Sequence, residues 1–308
     1  MALDFAFYQR MAYLDRALTR PVSCAIGRIL LPWLGRRRLR HLRDAARDNI
    51  AIALGGGPHE VAARTQAERL ARRMFSNFGA YIADYFLLPF LSERSLNRWV
   101  RGYAGAEHLD ASLARGKGAI LLTCHLGLWE LGAIGLRRLG YDVNVVGFID
   151  AAHPGVTEFR DWMRTRHGIG VINRDGVALA ALAIRRLLEE NRVVALLGDR
   201  LIGEKGVEVE FMGKRARFPV GPLRLARATG AAVHPSFVVR EGRRYLATIE
   251  PPIDLEAHGQ TEAGYQACAQ AVARRFEHHI RAHMDQWYVF LPFWEPVIPP
   301  GSEQQNAA

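Results

Sequence analysis

From about residue 106 onward, short apolar runs alternate with stretches of helical period. The runs are "AILLTC" (119–124), "DVNVVGF" (142–148), "GVINR" (170–174) and "VVALLGD" (193–199). Between them lie helical patterns over 129–139 and 176–190. Near-continuous apolar strands separated by helices predict a mostly parallel central sheet flanked by helices, an α/β fold. "AAVHPSFVV" (231–239) and "RYLATIE" (244–250) extend it as a hairpin around "REGRR", and a long helix follows over 262–285. Residues 1–105 read as helical, with apolar positions at three- and four-residue spacing over 60–80 and a break at "ALGGGPHE" (53–60). The chain divides into a helical amino-terminal region (1–105), an α/β core (106–297) and a polar tail (298–308) expected to be disordered, all within one structural domain.

Two apolar stretches do not fit a core strand. "VSCAIGRILLPWL" (22–34) carries Arg28, and "YIADYFLLPFL" (81–91) carries Asp84 and Pro89. Both are shorter than the roughly 20 residues a spanning helix needs, so the expectation is a protein lying on a membrane. Burial in the core is the competing reading. Charge supports the surface reading. The chain of 308 residues has a net charge of +10 and only three lysines, and its first 50 residues hold ten arginines against four acids. Arg36, Arg37, Arg38, Arg40 and Arg43 cluster behind the first apolar stretch, a pattern suited to anionic headgroups. No nucleic-acid motif accompanies it. The three cysteines, Cys24, Cys124 and Cys268, lie far apart and form no disulfide framework.

The chemistry gathers at "LLTCHLGLWE" (121–130), where a strand delivers His125, Gly127 allows a turn, and Glu130 falls in the first turn of the next helix. In open α/β sheets reacting groups collect beyond the carboxyl ends of strands. The expectation is that Glu130 folds back onto an imidazole nitrogen and the other nitrogen takes a proton from a hydroxyl. Cys124, next to His125 on a strand, should face the other way. Asp199 and Arg200 close another strand at the same edge, as an orienting group or as a structural ion pair. Gly221 and Pro222 open a helix that ends before Gly230, so its free N–H groups offer an anion site or merely a cap. Arg164 and Arg166 precede a strand and could grip a phosphate or make surface salt bridges. His279 and His283 have metal-pair spacing but no third ligand, so no metal is expected. The aromatics of "QWYVFLPFWEP" (286–296) read as core or interfacial anchors.

"GKGAILLTCHLGLWE" (116–130) resembles the His-x4-acid block of the lysophospholipid acyltransferase superfamily, and more narrowly that of the bacterial lipid A biosynthesis acyltransferases. "RMFSNFGAYIADY" (73–85), "RTRHGIGVINRDG" (164–176), "VVALLGDR" (193–200), "FMGKRARFPVGPLRLARATGAAVHP" (211–235) and the aromatic end resemble further blocks of that family in the same order, over roughly residues 40–297. Leu128 stands where the family often has Asn, and Arg200 where it often has Gln. The resemblance implies a membrane-associated O-acyltransferase at the cytoplasmic face of the bacterial inner membrane. It would need no cofactor and would take an acyl group from acyl carrier protein or coenzyme A. The acceptor would be a lipid hydroxyl, foremost of a lipid A precursor. His125 and Glu130 would be catalytic, Arg164, Arg166, Asp199, Arg200 and Gly221 would bind substrate, and an apolar groove including the amino-terminal helices would hold the acyl chain. Acylation of a phospholipid or a phosphatidylinositol mannoside-type glycolipid, thioester hydrolysis, and lipid binding without catalysis are the alternatives.

Overall fold

The computed structural model describes residues 4–55, 61–147, 153–173, 177–201 and 206–294; the expected disordered tail lies outside them. Four helices open the chain: α1 (Phe5–Ala17), α2 (Arg20–Arg37), α3 (Arg40–Ala53) and α4 (Val61–Leu87). Then come α5 (Glu93–Trp99), β1 (Val100–Ala104), α6 (Ala106–Leu113), β2 (Ala119–Thr123), α7 (Trp129–Arg138), β3 (Val143–Gly147), α8 (Pro154–Arg166) and β4 (Gly170–Asn173). The rest comprises α9 (Val177–Glu189), β5 (Val193–Leu197), β6 (Val207–Phe211), β7 (Lys214–Phe218), α10 (Gly221–Thr229), β8 (Ala232–Glu241), β9 (Arg244–Ile249) and α11 (Glu262–Ala282).

Seven strands form one sheet in the order β1-β9-β8-β2-β5-β3-β4. Every pairing is parallel except the β8–β9 hairpin. The central strand β2 is buried along its whole length, as a strand covered on both faces must be. The steps β2–α7–β3 and β3–α8–β4 move outward across the sheet, whereas β4–α9–β5 moves back. Right-handed crossovers therefore place α7 and α8 on one face and α9 on the other. The apolar runs read from the sequence match the observed strands closely. One element escapes that reading: residues 100–104, expected to be helical, form the edge strand β1 beside β9. A second is the β6–β7 hairpin, which pairs only with itself.

The amino-terminal helices dock by close backbone approach. A Cβ on Gly27 of α2 would sit 2.2 Å from the Gly79 carbonyl oxygen of α4, and one on Gly79 would sit 2.0 Å from the Gly27 carbonyl oxygen. Asp84, fully buried in α4, ties this pair of helices to the sheet. It accepts from Arg20 Nε at 2.6 Å, from the Tyr245 hydroxyl at 2.6 Å, and from Arg240. Burial alone would push the Asp84 carboxyl up, but Arg20 and Arg240 hold it below the usual range.

The two apolar stretches have opposite fates. Residues 81–91 are largely core: Tyr81, Leu88 and Leu91 are buried, and Asp84 is consumed by its ion pairs. The expectation of a second membrane patch there is corrected by this burial. In α2, by contrast, Val22, Ile26, Ile29 and Trp33 are exposed, Ile29 by 74%. Phe7, Met11, Leu14 and Leu18 are exposed on or just after α1. Both sets follow i, i+4, i+7, i+11 spacing and so form one stripe per helix. No helix among the described residues is long and apolar enough to cross a membrane.

Candidate active site

His125 stands two residues beyond the end of β2, and the turn that carries it depends on Gly127. That residue has φ +65°, and a Cβ there would lie 1.9 Å from the Val238 carbonyl oxygen. No other residue type fits. The loop is pinned by backbone bonds: Leu128 N–H donates to the Val238 carbonyl at 2.9 Å, Gly127 N–H to the Gln286 carbonyl at 3.0 Å, and Tyr288 N–H to the His125 carbonyl at 2.7 Å. Leu128, in the position of the family's Asn, is itself fully buried.

The register pairs Thr123 with Leu197 on β5, so two residues further on His125 stands opposite Asp199. The carboxylate grips the histidine twice. The His125 backbone N–H donates to Oδ2 at 3.0 Å, and the imidazole Nδ1 lies 2.8 Å from Oδ1. Burial would push the Asp199 carboxyl up, but His125, by its charge and these hydrogen bonds, holds it below the usual range. An ionised carboxylate only accepts, so Nδ1 is the nitrogen that donates to it, and the neutral form of the ring presents Nε2 as its acceptor. The imidazole is 26% exposed, enough to meet a substrate. Trp129 packs edge-on against it at 5.6 Å.

Glu130 does not reach the imidazole. It lies in the first turn of α7 and turns toward α8, where Arg164 clasps it with Nη2 at 2.6 Å and Nε at 3.0 Å. Glu130 is 2% and Arg164 is 3% exposed. The expected His125–Glu130 pair is thus replaced by a His125–Asp199 pair and a separate Glu130–Arg164 pair. The reason is topological, since parallel neighbours in register bring strand ends together, whereas the helix start carries Glu130 away. Arg164 and Arg166 likewise do not form a two-pronged clamp: exposed Arg166 donates to the Pro89 carbonyl at 3.1 Å. Arg200 is half-buried beside Asp199, and its Nη2 is buried with no hydrogen-bond partner among the described residues. Burial pushes its pKa down, against the pull of Asp199. Gly221 opens α10, and a Cβ built there would meet nothing within 4 Å among the described residues. His279 is engaged by Glu250 at 2.8 Å and stacks on Phe237. Cys124 is fully buried, and burial, with the Asp199 charge, pushes its thiol well up.

A cavity lies between α7 and the sheet. Leu121 and Thr123 of β2, Ala195 and Leu197 of β5, and Val238 of β8 line it, as do Trp129 and the Glu130–Arg164 pair. Among the described residues none before Tyr103 lines it, so this cavity differs from the groove expected among the amino-terminal helices. Those helices instead build an aromatic shelf beside the site. Tyr81 of α4 lies 5.8 Å from Trp129 and 5.1 Å from Tyr288, and Phe78 lies 4.7 Å from Phe290. Thr123 is a residue the motif reading passed over. Strand alternation places it on the His125 face, and its hydroxyl is buried without a hydrogen-bond partner.

The profile of the family described as bacterial lipid A biosynthesis acyltransferase matches residues 3–295. A phosphatidylinositol mannoside acyltransferase of Mycobacterium tuberculosis is 32% identical over 256 residues, covering 82% of this chain and 77% of that protein. The phosphatidylinositol mannoside acyltransferase of Mycolicibacterium smegmatis is 28% identical over 258 residues, covering 82% and 79%. Among solved structures, the 1-acyl-sn-glycerophosphate acyltransferase of Thermotoga maritima aligns with a TM-score of 0.39 and 16% identity, over 71% of this chain and 89% of that one. With its profile match running nearly end to end, the chain belongs to the bacterial lipid A biosynthesis acyltransferase family and is a lipid acyltransferase.

Proposed function

We propose that this enzyme transfers a fatty acyl group from a thioester, on acyl carrier protein or coenzyme A, to a hydroxyl of a phosphorylated glycolipid. The observation that carries the reading is the His125–Asp199 pair, whose geometry leaves Nε2 without a partner among the described residues, while the neighbouring Thr123 and Trp129 line a largely apolar cavity. Nε2 takes the proton of the acceptor hydroxyl as its oxygen attacks the thioester carbonyl. The buried Asp199 carboxylate stabilises the imidazolium that forms. Arg200 follows Asp199 at the same strand end, has a buried Nη2 without a partner among the described residues, and supplies a positive charge for the developing oxyanion. Collapse of the tetrahedral intermediate expels the thiolate, which recovers the proton from His125. The products are an O-acyl ester and a free thiol. The thioester's alkyl chain occupies the cavity under α7.

A lipid A precursor is the first acceptor this reading names, on the family's description. A phosphatidylinositol mannoside is the second, favoured by the 32% identity to the mycobacterial relative. Both present sugar hydroxyls at a membrane surface. The stripes on α1 and α2, with Arg36, Arg37 and Arg38 exposed next to Trp33, suit a protein whose helices lie in an anionic interface. Purified enzyme with radiolabelled acyl thioester and each acceptor in vesicles tests the reading. Labelled glycolipid supports transfer. Labelled free acid alone would make the protein a hydrolase, and unreacted thioester with every acceptor would refute the reading.

A further inference from the structure

β8 outruns its neighbour in the sheet. β2 pairs with it only as far as Leu122 opposite Pro235, whereas β8 continues to Glu241. Beyond that point the loop that carries His125 meets β8 where Gly127 bridges to Val238. Two residues further on, the N–H and C=O of Arg240 face this edge, and no strand among the described residues pairs with them there. The side chain of Gln286 takes both. Arg240 N–H donates to Gln286 Oε1 at 2.8 Å, and Gln286 Nε2 donates to the Arg240 carbonyl at 2.9 Å. The amide stands in for the peptide group of a missing strand, and its orientation is fixed, because the N–H needs the oxygen and the C=O needs the nitrogen. Gln286 is 7% exposed.

The main chain of the same segment holds the His125 loop. The Gln286 carbonyl accepts from Gly127 N–H at 3.0 Å, Tyr288 N–H donates to the His125 carbonyl at 2.7 Å, and Trp287 bridges to Leu126. Residue 286 is therefore the joint between sheet and loop: its side chain is fixed to β8 and its carbonyl to the loop. Asp199 holds His125 from the β5 side, so the two anchors lie on opposite flanks of the histidine.

Resting on the reading of His125 as the base, we propose that Gln286 is a positioning residue for it: the amide sets where the His125 loop stands against the sheet, and with it the aim of Nε2. The molecule carries its own control. Gln270 of α11 makes the same pair of bonds to β6, accepting from Glu210 N–H and donating to the Glu210 carbonyl, both at 2.8 Å. Those bonds end on the separate β6–β7 hairpin and not on the loop.

The test compares Gln286→Met, Gln286→Glu and Gln270→Met in the full-length protein, by hydrogen–deuterium exchange over residues 124–131 and by steady-state acyl transfer. Gln286→Met keeps the length of the side chain and loses both bonds. Exchange over 124–131 should quicken, kcat should fall by up to about 10²-fold, the scale of a misplacement of about 1 Å, and KM should change little. Gln270→Met should leave both readouts at the wild-type level. Gln286→Glu separates positioning from general stability. Its carboxylate cannot donate to the Arg240 carbonyl, whereas the protonated acid both donates and accepts. Burial raises a carboxyl above the usual glutamate value of about 4.3, so kcat relative to wild type should climb as pH falls through that raised value. This arm also serves if Gln286→Met fails to fold. Unchanged exchange in Gln286→Met, a kcat ratio for Gln286→Glu that stays flat with pH, or an equal loss in Gln270→Met would overturn the proposal. Exchange does not depend on turnover, so a wild type that transfers no acyl group would sink the proposed function while leaving the hold of Gln286 on the loop standing.

Discussion

Glu130 and Arg164 lie in the wall of the cavity with 2% and 3% exposure, so Glu130 depends on Arg164 for solvation, while Arg164 has Asp161 at 3.7 Å as a second, longer partner. Removing one partner of such a pair typically costs about 3–5 kcal/mol, because the other charge is left buried without its main counter-charge. Glu130→Gln should therefore lower unfolding stability by about that much, and Glu130→Gln with Arg164→Met should recover much of the loss. Denaturant titration of the single and double variants checks this. At a temperature where it remains folded, Glu130→Gln should retain far more turnover than His125→Ala, since the acid on the imidazole is Asp199. A Glu130→Gln protein as stable as the wild type would show that the pair carries no such weight. This was the part of the site least legible in the sequence. The spacing of His125 and Glu130 invites a pairing, and only the position of β5 beside β2 shows that Asp199 stands closer.

At the scale of elements, α2 has two jobs on opposite sides. Gly27 lets it approach α4, while Val22, Ile26, Ile29 and Trp33 face outward. Ile29→Glu with Trp33→Glu should weaken sedimentation with phospholipid vesicles without altering the fold. Replacing Arg36, Arg37 and Arg38 with Glu should remove the preference for anionic vesicles, at about 1 kcal/mol per charge near the surface. Unchanged binding in both variants would place the membrane contact elsewhere. Asp84 anchors the same helices. Its pKa is lower in the folded state than the usual aspartate value of about 3.9. Its contribution is therefore fully present above that value and is lost as pH falls through the depressed one. Asp84→Asn should lower the melting temperature at neutral pH, with Arg20 and Arg240 left short of a counter-charge. The gap to wild type should narrow in acid. A constant gap across the range would contradict the assignment.

For the molecule as a whole, alternating apolar runs and helices were enough to read a parallel sheet, because buried parallel strands are apolar along their length. β1 was invisible to that pattern. "VRGYA" is short, carries Arg101 and Gly102, and pairs on one side only. The β6–β7 hairpin shows the opposite case. "VEVEF" and "KRARF" alternate cleanly around a turn with positive φ at Met212 and Gly213, and attention to family blocks passed over that alternation. What no single-strand pattern reveals is strand order, and strand order makes the His125–Asp199 pair proposed as catalytic. Turnover of Asp199→Asn, with the fold verified by its unchanged melting profile, tests that pair most directly. The His125 backbone N–H needs an acceptor at the Oδ2 position, so the Asn amide must turn its NH₂ toward Nδ1. Nδ1 then has to accept, the ring proton moves to Nε2, and the base is lost. The account predicts a fall in acyl transfer of about 10²–10⁴-fold in a folded protein; a folded Asp199→Asn enzyme turning over near the wild-type rate would contradict it.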